Sequence, residues 1–179
     1  MPHDLTLILG GARSGKSAQA EREITALPPP WHYIATAQAF DDEMRDRIRQ
    51  HRTRRAAGWH THEDPFDLAQ RLTSLPDGAP VLVDCLTLWL TNHLLADHDL
   101  PAQIAALELA LAARKGPVWL VANEVGLGIV PENALARRFR DEAGILNQRM
   151  AALASRVIFV AAGLPLPLKG PAHPPRMDP

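Results

Sequence analysis

The residues whose order says most about chemistry lie near the start of the chain. Gly10-Gly11-Ala12-Arg13-Ser14-Gly15-Lys16-Ser17 fits the phosphate-binding pattern G-x-x-x-x-G-K-[ST] at every position. Such a loop turns successive backbone N–H groups inward around a polyphosphate, and the helix that follows points its positive N-terminal end at the same anion. Within it, Lys16 is placed to reach the β- and γ-phosphates and the Ser17 hydroxyl to bind a magnesium ion. A Gly-Gly pair followed by polar residues also makes an ordinary strand-to-helix turn. Here an apolar run, Leu5–Leu9, precedes the motif and helix-forming residues from Ala18 to Glu21 follow it, in the order a phosphate loop requires. The implication is a nucleotide-binding protein.

Other side chains could complete such a site. Asp84 closes the apolar run Pro80-Val81-Leu82-Val83, and an acid at the tip of a core strand downstream of a phosphate loop is the expected second magnesium anchor. It could equally cap the helix that follows. Arg45, Arg47, Arg49, Arg52, Arg54 and Arg55 crowd one short segment opposed only by Asp46. Charge runs are usually solvated faces, but arginine without lysine favours phosphate contacts, and Thr53 lies among them. His51 shares a helical face with Met44 and Ile48, which suits a packing histidine. A neutral imidazole beside arginines is also a competent nucleophile towards phosphorus. His60 and His62 alternate as two metal ligands on a strand would, without further ligands to support them, and Glu63 could accept from a base or ribose. Asn123 and Glu124 open a glycine-containing loop, Asn123–Pro131, just past a core strand, where a second substrate or the metal could be contacted.

The elements that must position these groups alternate along the chain. Strands are expected at Leu5–Leu9, Trp31–Thr36, Pro80–Asp84, Pro117–Ala122 and Val157–Ala161. Helices are expected from Lys16 to the Pro28-Pro29-Pro30 stop, over Phe40–Arg52 with Ala57-Gly58 ending it, and over Phe66–Leu75, Leu86–Leu95, Ala102–Arg114 and Glu132–Ala154. Strands alternating with helices imply right-handed crossovers and an α/β, doubly wound, mainly parallel sheet of the P-loop NTPase, RecA-like type. We expect one domain over residues 1–169, followed by a proline-rich, loosely ordered tail over residues 170–179.

Composition narrows the partners. With 179 residues the chain suits one well-buried domain. Its net charge of −1 supplies no basic field for nucleic acid, and the arginine cluster lacks the aromatic residues that stack on bases. Three Lys against sixteen Arg sharpen the phosphate reading. The single cysteine, Cys85, excludes an intramolecular disulfide and a cysteine-based zinc site, and with no signal peptide or membrane span in the pattern, a cytoplasmic protein is expected. On these residues alone, a plain small-molecule kinase and a motor that couples hydrolysis to a macromolecule are both open readings.

Several stretches together resemble one family, the bifunctional adenosylcobinamide kinase / adenosylcobinamide-phosphate guanylyltransferases of cobalamin biosynthesis. They are GGARSGKS (Gly10–Ser17), YIATAQ (Tyr33–Gln38), DDEMRDRIRQHRTRR (Asp41–Arg55) and Trp59 with Thr61 and Glu63. The strand ending at Asp84 with CLTLWLTN after it, NEVGLGIVPEN (Asn123–Asn133) and LARRFRDEAGILNQRMA (Leu135–Ala151) complete the set, which reaches to about Lys169. The resemblance implies two steps at one nucleotide site. ATP or GTP phosphorylates the aminopropanol hydroxyl of adenosylcobinamide; GMP then passes from GTP through a histidine to adenosylcobinamide phosphate. It implies His51 as that histidine, and Gly10–Ser17, Ala35, Thr36, Ala37, Arg52, Thr53, Arg54, Arg55, Glu63 and Asp84 as nucleotide-contacting positions. It also implies magnesium as the metal and a homotrimer as the assembly.

Overall fold

In the computed structural model, which describes residues 4–38 and 57–171, the chain opens with β1 (Leu5–Gly10), buried along its whole length. A strand buried on both faces belongs inside a parallel sheet. β1 pairs in parallel with β5 (Val118–Asn123) on one side and β6 (Arg156–Ala161) on the other. Beyond β5 follow β4 (Val81–Asp84), β2 (Trp31–Ala35) and β3 (Trp59–Glu63), all parallel. β7 (Leu164–Lys169) pairs antiparallel with β6, giving the order β3-β2-β4-β5-β1-β6-β7. The α/β, mainly parallel sheet expected from the sequence is therefore present.

Five described helices flank the sheet. α1 (Lys16–Ile24) packs Ala20 and Ile24 against Ile8, Leu82, Trp119, Val121 and Ile158 on one face. α2 (Leu68–Ser74), α3 (Leu86–Leu95), α4 (Leu100–Ala113) and α5 (Ala134–Leu153) contribute to a larger core with Leu5, Leu7, Leu9, Val83 and Leu120 on the other. The alternation of Leu5, Leu7 and Leu9 with Thr6 and Ile8 is the two-faced pleat of a central strand. α4 starts two residues earlier than the expected Ala102: Asp99 accepts from the Ala102 N–H at 3.1 Å, and Pro101 sits in the first turn, where its missing N–H is harmless. Asn133 caps α5 in the same way, accepting from Ala136 N at 3.1 Å.

Two strands escape a reading by apolar runs. β3 lies at one edge, with its polar His60, Thr61 and Glu63 exposed. β7 lies at the other edge, within what reads in sequence as the approach to a proline-rich tail. Its Pro165 and Pro167 are admissible because an edge strand leaves one row of backbone groups unpaired. Lys169 fastens its end, donating to the Ala151 and Ala152 carbonyls at 2.9 and 3.1 Å near the C-terminus of α5.

Candidate active site

The site forms where β1 gives way to α1. The loop from Gly10 to Ser17 is held from both sides. Ser14 N donates to the Gly11 carbonyl (3.3 Å), and Gly163 N, in the turn joining β6 to β7, donates to the Ser14 carbonyl (2.8 Å). Two of its glycines, Gly10 and Gly15, are steric requirements. A Cβ at Gly10 would lie 2.5 Å from both Ser14 Oγ and the Val160 carbonyl oxygen, and Gly15 adopts φ +97°, where a side chain is strained. Gly15 is also the N-cap of α1 and brings no side-chain cap, so the first N–H groups of the helix face the loop interior, where an anion can accept from them.

Lys16 is buried beneath this loop, its ammonium donating to the Gly11 carbonyl at 2.8 Å. Burial holds its pKa below the usual lysine value, while the nearby Asp84 carboxylate works in the opposite direction. Ser17 is half-buried in the first turn of α1. Ser14 Oγ is buried with no hydrogen-bond partner among the described residues, a polar atom that a ligand could satisfy.

Asp84 stands at the carboxyl tip of β4, in register with Ala35 of β2 and Val121 of β5. Its Oδ2 accepts from Tyr33 Oη at 3.0 Å, and the N-cap of α3 is Cys85, without a side-chain cap. The helix-capping alternative for Asp84 therefore gives way to a carboxylate held at the sheet edge. Burial pushes the Cys85 thiol up to about 12, so it stays protonated and is no soft metal ligand. Ser17 and Asp84 both carry hard oxygen atoms.

Ala35, Thr36 and Ala37 follow on from β2. Ala35 and Ala37 are half-buried, whereas Thr36 is fully buried. The Thr36 hydroxyl bridges the Cys85 backbone, donating to its carbonyl at 2.7 Å and accepting from its N–H at 2.8 Å. Asn92 Nδ2 donates to the Thr36 carbonyl at 2.9 Å, so this residue braces β2 against α3. Glu63 is exposed at the end of β3, directly beside Ala35 in register. His51 and the segment Arg52, Thr53, Arg54 and Arg55 lie outside the described residues, as does the expected helix over Phe40–Arg52.

The far side of the loop is built by β5. Asn123 is the register partner of Gly10, and Glu124 N donates to the Gly10 carbonyl at 3.1 Å. The Glu124 side chain turns back, accepting from Gly126 N at 2.7 Å. Thr87 on α3 accepts from Asn123 N at 2.7 Å, a brace that nothing in the linear sequence marks. His60 and His62 do not gather ligands: among the described residues no group of three His, Cys, Asp or Glu side chains could hold a metal. His62 Nε2 instead lies 3.0 Å from His32 Nδ1.

This arrangement can cradle a polyphosphate and neutralise charge that develops on it, the common requirement of phosphoryl and nucleotidyl transfer. Comparison with known proteins specifies the family. Bifunctional adenosylcobalamin biosynthesis protein CobP of Pseudomonas aeruginosa is 53% identical over 167 residues, covering 92% of this chain and 96% of that protein. Bifunctional adenosylcobalamin biosynthesis protein CobU of Salmonella typhimurium is 45% identical over 183 residues, covering 92% and 99%. Among solved structures, the flagellar accessory protein FlaH of Methanocaldococcus jannaschii shares the fold with a TM-score of 0.52 at 13% identity, covering 95% of this chain and 80% of that one. A family model described as cobinamide kinase / cobinamide phosphate guanyltransferase matches residues 6–168, and the chain belongs to that family.

Proposed function

We propose that the chain phosphorylates adenosylcobinamide with ATP or GTP, and then transfers GMP from GTP through His51 to adenosylcobinamide phosphate. The products of the second reaction are adenosylcobinamide-GDP and pyrophosphate. The observation that carries this reading is the phosphate loop itself, with Lys16 buried beneath it and Asp84 at the carboxyl tip of β4, in a chain of this family.

The two reactions ask the same thing of the loop. In the kinase step the aminopropanol hydroxyl attacks the γ-phosphorus and the nucleoside diphosphate leaves. In the transferase step a ring nitrogen of His51 attacks the α-phosphorus; an N–P bond forms, the α–β P–O bond breaks, and pyrophosphate departs. A phosphate oxygen of the acceptor then attacks that phosphorus, the N–P bond breaks, and His51 is regenerated. Negative charge grows on the departing phosphates in both cases, where Lys16 and the N–H groups from Gly11 to Ser17 can stabilise it. Arg52, Arg54 and Arg55 next to His51 would disfavour its protonation and bind incoming phosphates. Thr53, Ala35, Thr36, Ala37 and Glu63 complete the nucleotide contacts in this reading.

Magnesium fits the donors present. Ser17 offers a hydroxyl, Asp84 a carboxylate, and the neutral Cys85 thiol does not compete for a hard cation. When bound there, the ion would supply Lewis-acid neutralisation of phosphate oxygens. No helix among the described residues is long and apolar enough to cross a membrane; in this reading the enzyme acts on diffusible substrates in the cytoplasm. Leu164, Leu166 and Leu168 alternate along exposed β7, an apolar edge consistent with the homotrimer of the resemblance; a light-scattering mass of three chains tests it.

The deciding experiment is an intact-mass spectrum after incubation with GTP and magnesium, for the parent protein and His51→Asn. We expect one acid-labile GMP adduct that the variant lacks. Nucleotide binding without an adduct in the parent would leave only the kinase half of the reading.

A further inference from the structure

On the face of the sheet that carries α2 to α5, a cavity of about 280 Å³ opens between α3 and α5. Leu94, Leu95, Leu135 and Phe139 form most of its wall, with Thr91 and Asn133 as the polar members. Both polar side chains have local partners: Thr91 Oγ1 donates to the Thr87 carbonyl at 2.9 Å, and Asn133 Oδ1 accepts from Ala136 N at 3.1 Å. Leu95 and Leu135 remain 61% and 48% exposed at its mouth. The loop leading to Asn133 adds Leu127, Ile129 and Val130, all exposed. Apolar surface of this extent on a water-facing loop marks a binding face.

The cavity connects structurally to the phosphate loop. Gly10 is in register with Asn123, whose N–H donates to Thr87 Oγ1, and Thr91 lies one turn further along α3. Four residues advance about 6 Å along a helix axis, so the cavity wall begins within a short distance of the loop. Asn147 Nδ2 reaches the Asn123 carbonyl at 3.3 Å, which places this part of α5 at the carboxyl edge of the sheet. From Asn147 α5 runs on towards the opposite edge, where β6 begins, so Ala134 to Phe139, two or more turns before Asn147, project about 12 Å or more beyond the carboxyl edge.

We infer that this cavity and its leucine-rich rim are where the corrinoid acceptor docks; the inference rests on the function proposed above. The nucleotide has its own direction. From the phosphate loop, the nucleotide-contacting positions of the resemblance run across Asp84 to Ala35 and Glu63, over β4, β2 and β3. That line also passes the end of β5, which lies between β1 and β4; the cavity lies off it, between α3 and α5 on the face of the sheet opposite α1, which leaves it for the other substrate. A corrin ring carries methyl groups on its faces and amide arms at its rim, and such a ligand suits aliphatic walls with isolated polar groups. At about 280 Å³ the cavity is smaller than the usual range for enclosing even a drug-sized ligand. It therefore grips one edge of the macrocycle while Leu127, Ile129 and Val130 lie against its face, and the aminopropanol arm extends to the phosphate loop.

The test uses the full chain and the doubly substituted Leu95→Ser/Leu135→Ser protein. Binding of adenosylcobinamide phosphate is measured by equilibrium dialysis through the visible absorbance of the corrin, and the GMP adduct is measured by intact mass. The adduct needs no corrinoid and reports that the nucleotide site is folded. We expect the dissociation constant for adenosylcobinamide phosphate to rise at least tenfold while adduct formation keeps its rate. Corrinoid affinity within twofold of the parent, with the adduct intact, overturns the inference. A smaller particle in light scattering with unchanged corrinoid affinity does so too, because a second copy of the chain then covers this face. If neither protein forms the adduct but the substituted one loses the corrinoid, the docking site stands and the guanylyl step falls.

Discussion

Tyr33 and Asp84 meet across the β2–β4 boundary, the tyrosine hydroxyl donating to Asp84 Oδ2 at 3.0 Å. They are diagonal neighbours, since Tyr33 pairs with Leu82 and Asp84 with Ala35. The bond orients one carboxylate oxygen before any ligand arrives. Tyr33→Phe keeps the ring in the apolar cluster and removes only the donor. We expect the magnesium concentration for half-maximal GMP adduct formation to rise severalfold, with a stability loss of about 1–3 kcal/mol. Asp84→Asn should cost about a hundredfold in adduct rate at saturating magnesium. Initial rates across a magnesium titration check both; a Tyr33→Phe curve that overlays the parent would remove the positioning role.

Lys16 separates function from stability. Its burial disfavours the charged form, so the folded protein carries a cost there that catalysis explains and packing does not. Lys16→Met should lower both the kinase and the guanylyl rates by about 10²–10³-fold. Its thermal midpoint should be equal to or above that of the parent. A variant that instead unfolds more easily would show that Lys16 acts as a structural tether to Gly11.

A histidine pair gives the protein a pH dependence unrelated to its chemistry. His32 Nδ1 lies 3.0 Å from His62 Nε2, and the buried His32 Nε2 has no hydrogen-bond partner among the described residues. Burial lowers the pKa of His32, helped by His62, His60 and Arg114. Burial also lowers that of His62, with Arg71 and His60 adding to it and Asp64 opposing. A histidine with a lowered folded pKa binds fewer protons folded than unfolded. Stability is therefore lost as pH falls through the unfolded value of about 6.5. Urea unfolding at pH 7.5, 6.5 and 5.5 should show this decline, and His32→Asn should make it shallower. His93, also lowered by burial, keeps part of the slope. An identical slope in the variant would rule out His32 as a source.

How much of this was legible in the sequence depended on whether a feature was local. The phosphate loop, β1, β4, β5 and the Asp84 strand tip are contiguous in sequence, and their apolar runs report burial on both faces. α2 and α5 came out shorter than expected, at Leu68–Ser74 and Ala134–Leu153, and the start of α5 is set by its Asn133 cap and not by the apolar pattern. β3 and β7 are edge strands: one is largely polar and the other contains proline, so neither carries the signature of a buried strand. The braces of the site were illegible for a different reason. Tyr33 to Asp84, Asn123 to Thr87 and Gly163 to the Ser14 carbonyl join residues that only the sheet register brings together.

The register also explains a buried ion pair whose loss should reach the active site. Arg156, the first residue of β6, donates to Glu23 on α1 from Nη1 at 3.0 Å and Nη2 at 3.2 Å. Trp119 Nε1 and Gln19 Nε2 donate to the same carboxylate at 2.9 and 2.8 Å, and Arg156 Nη1 also reaches Thr6 Oγ1 at 3.1 Å. β1, β5 and β6 thus hold the helix that begins at Lys16. Burial alone would push the Glu23 carboxyl up, but the bonds from Arg156, Trp119 and Gln19 outweigh it and hold the carboxyl below its usual range. The stabilisation is therefore present above the unfolded value of about 4.3 and is lost as pH falls through the lower folded one. Glu23→Ala leaves the guanidinium buried without its charge partner and should cost about 3–5 kcal/mol at pH 7. Glu23→Leu/Arg156→Met should recover most of that loss, because two apolar side chains replace two buried charges. If denaturant midpoints put the double variant no higher than Glu23→Ala, the pair contributes more than mutual neutralisation. In that case nucleotide affinity should fall in both variants, because α1 no longer holds the phosphate loop in place.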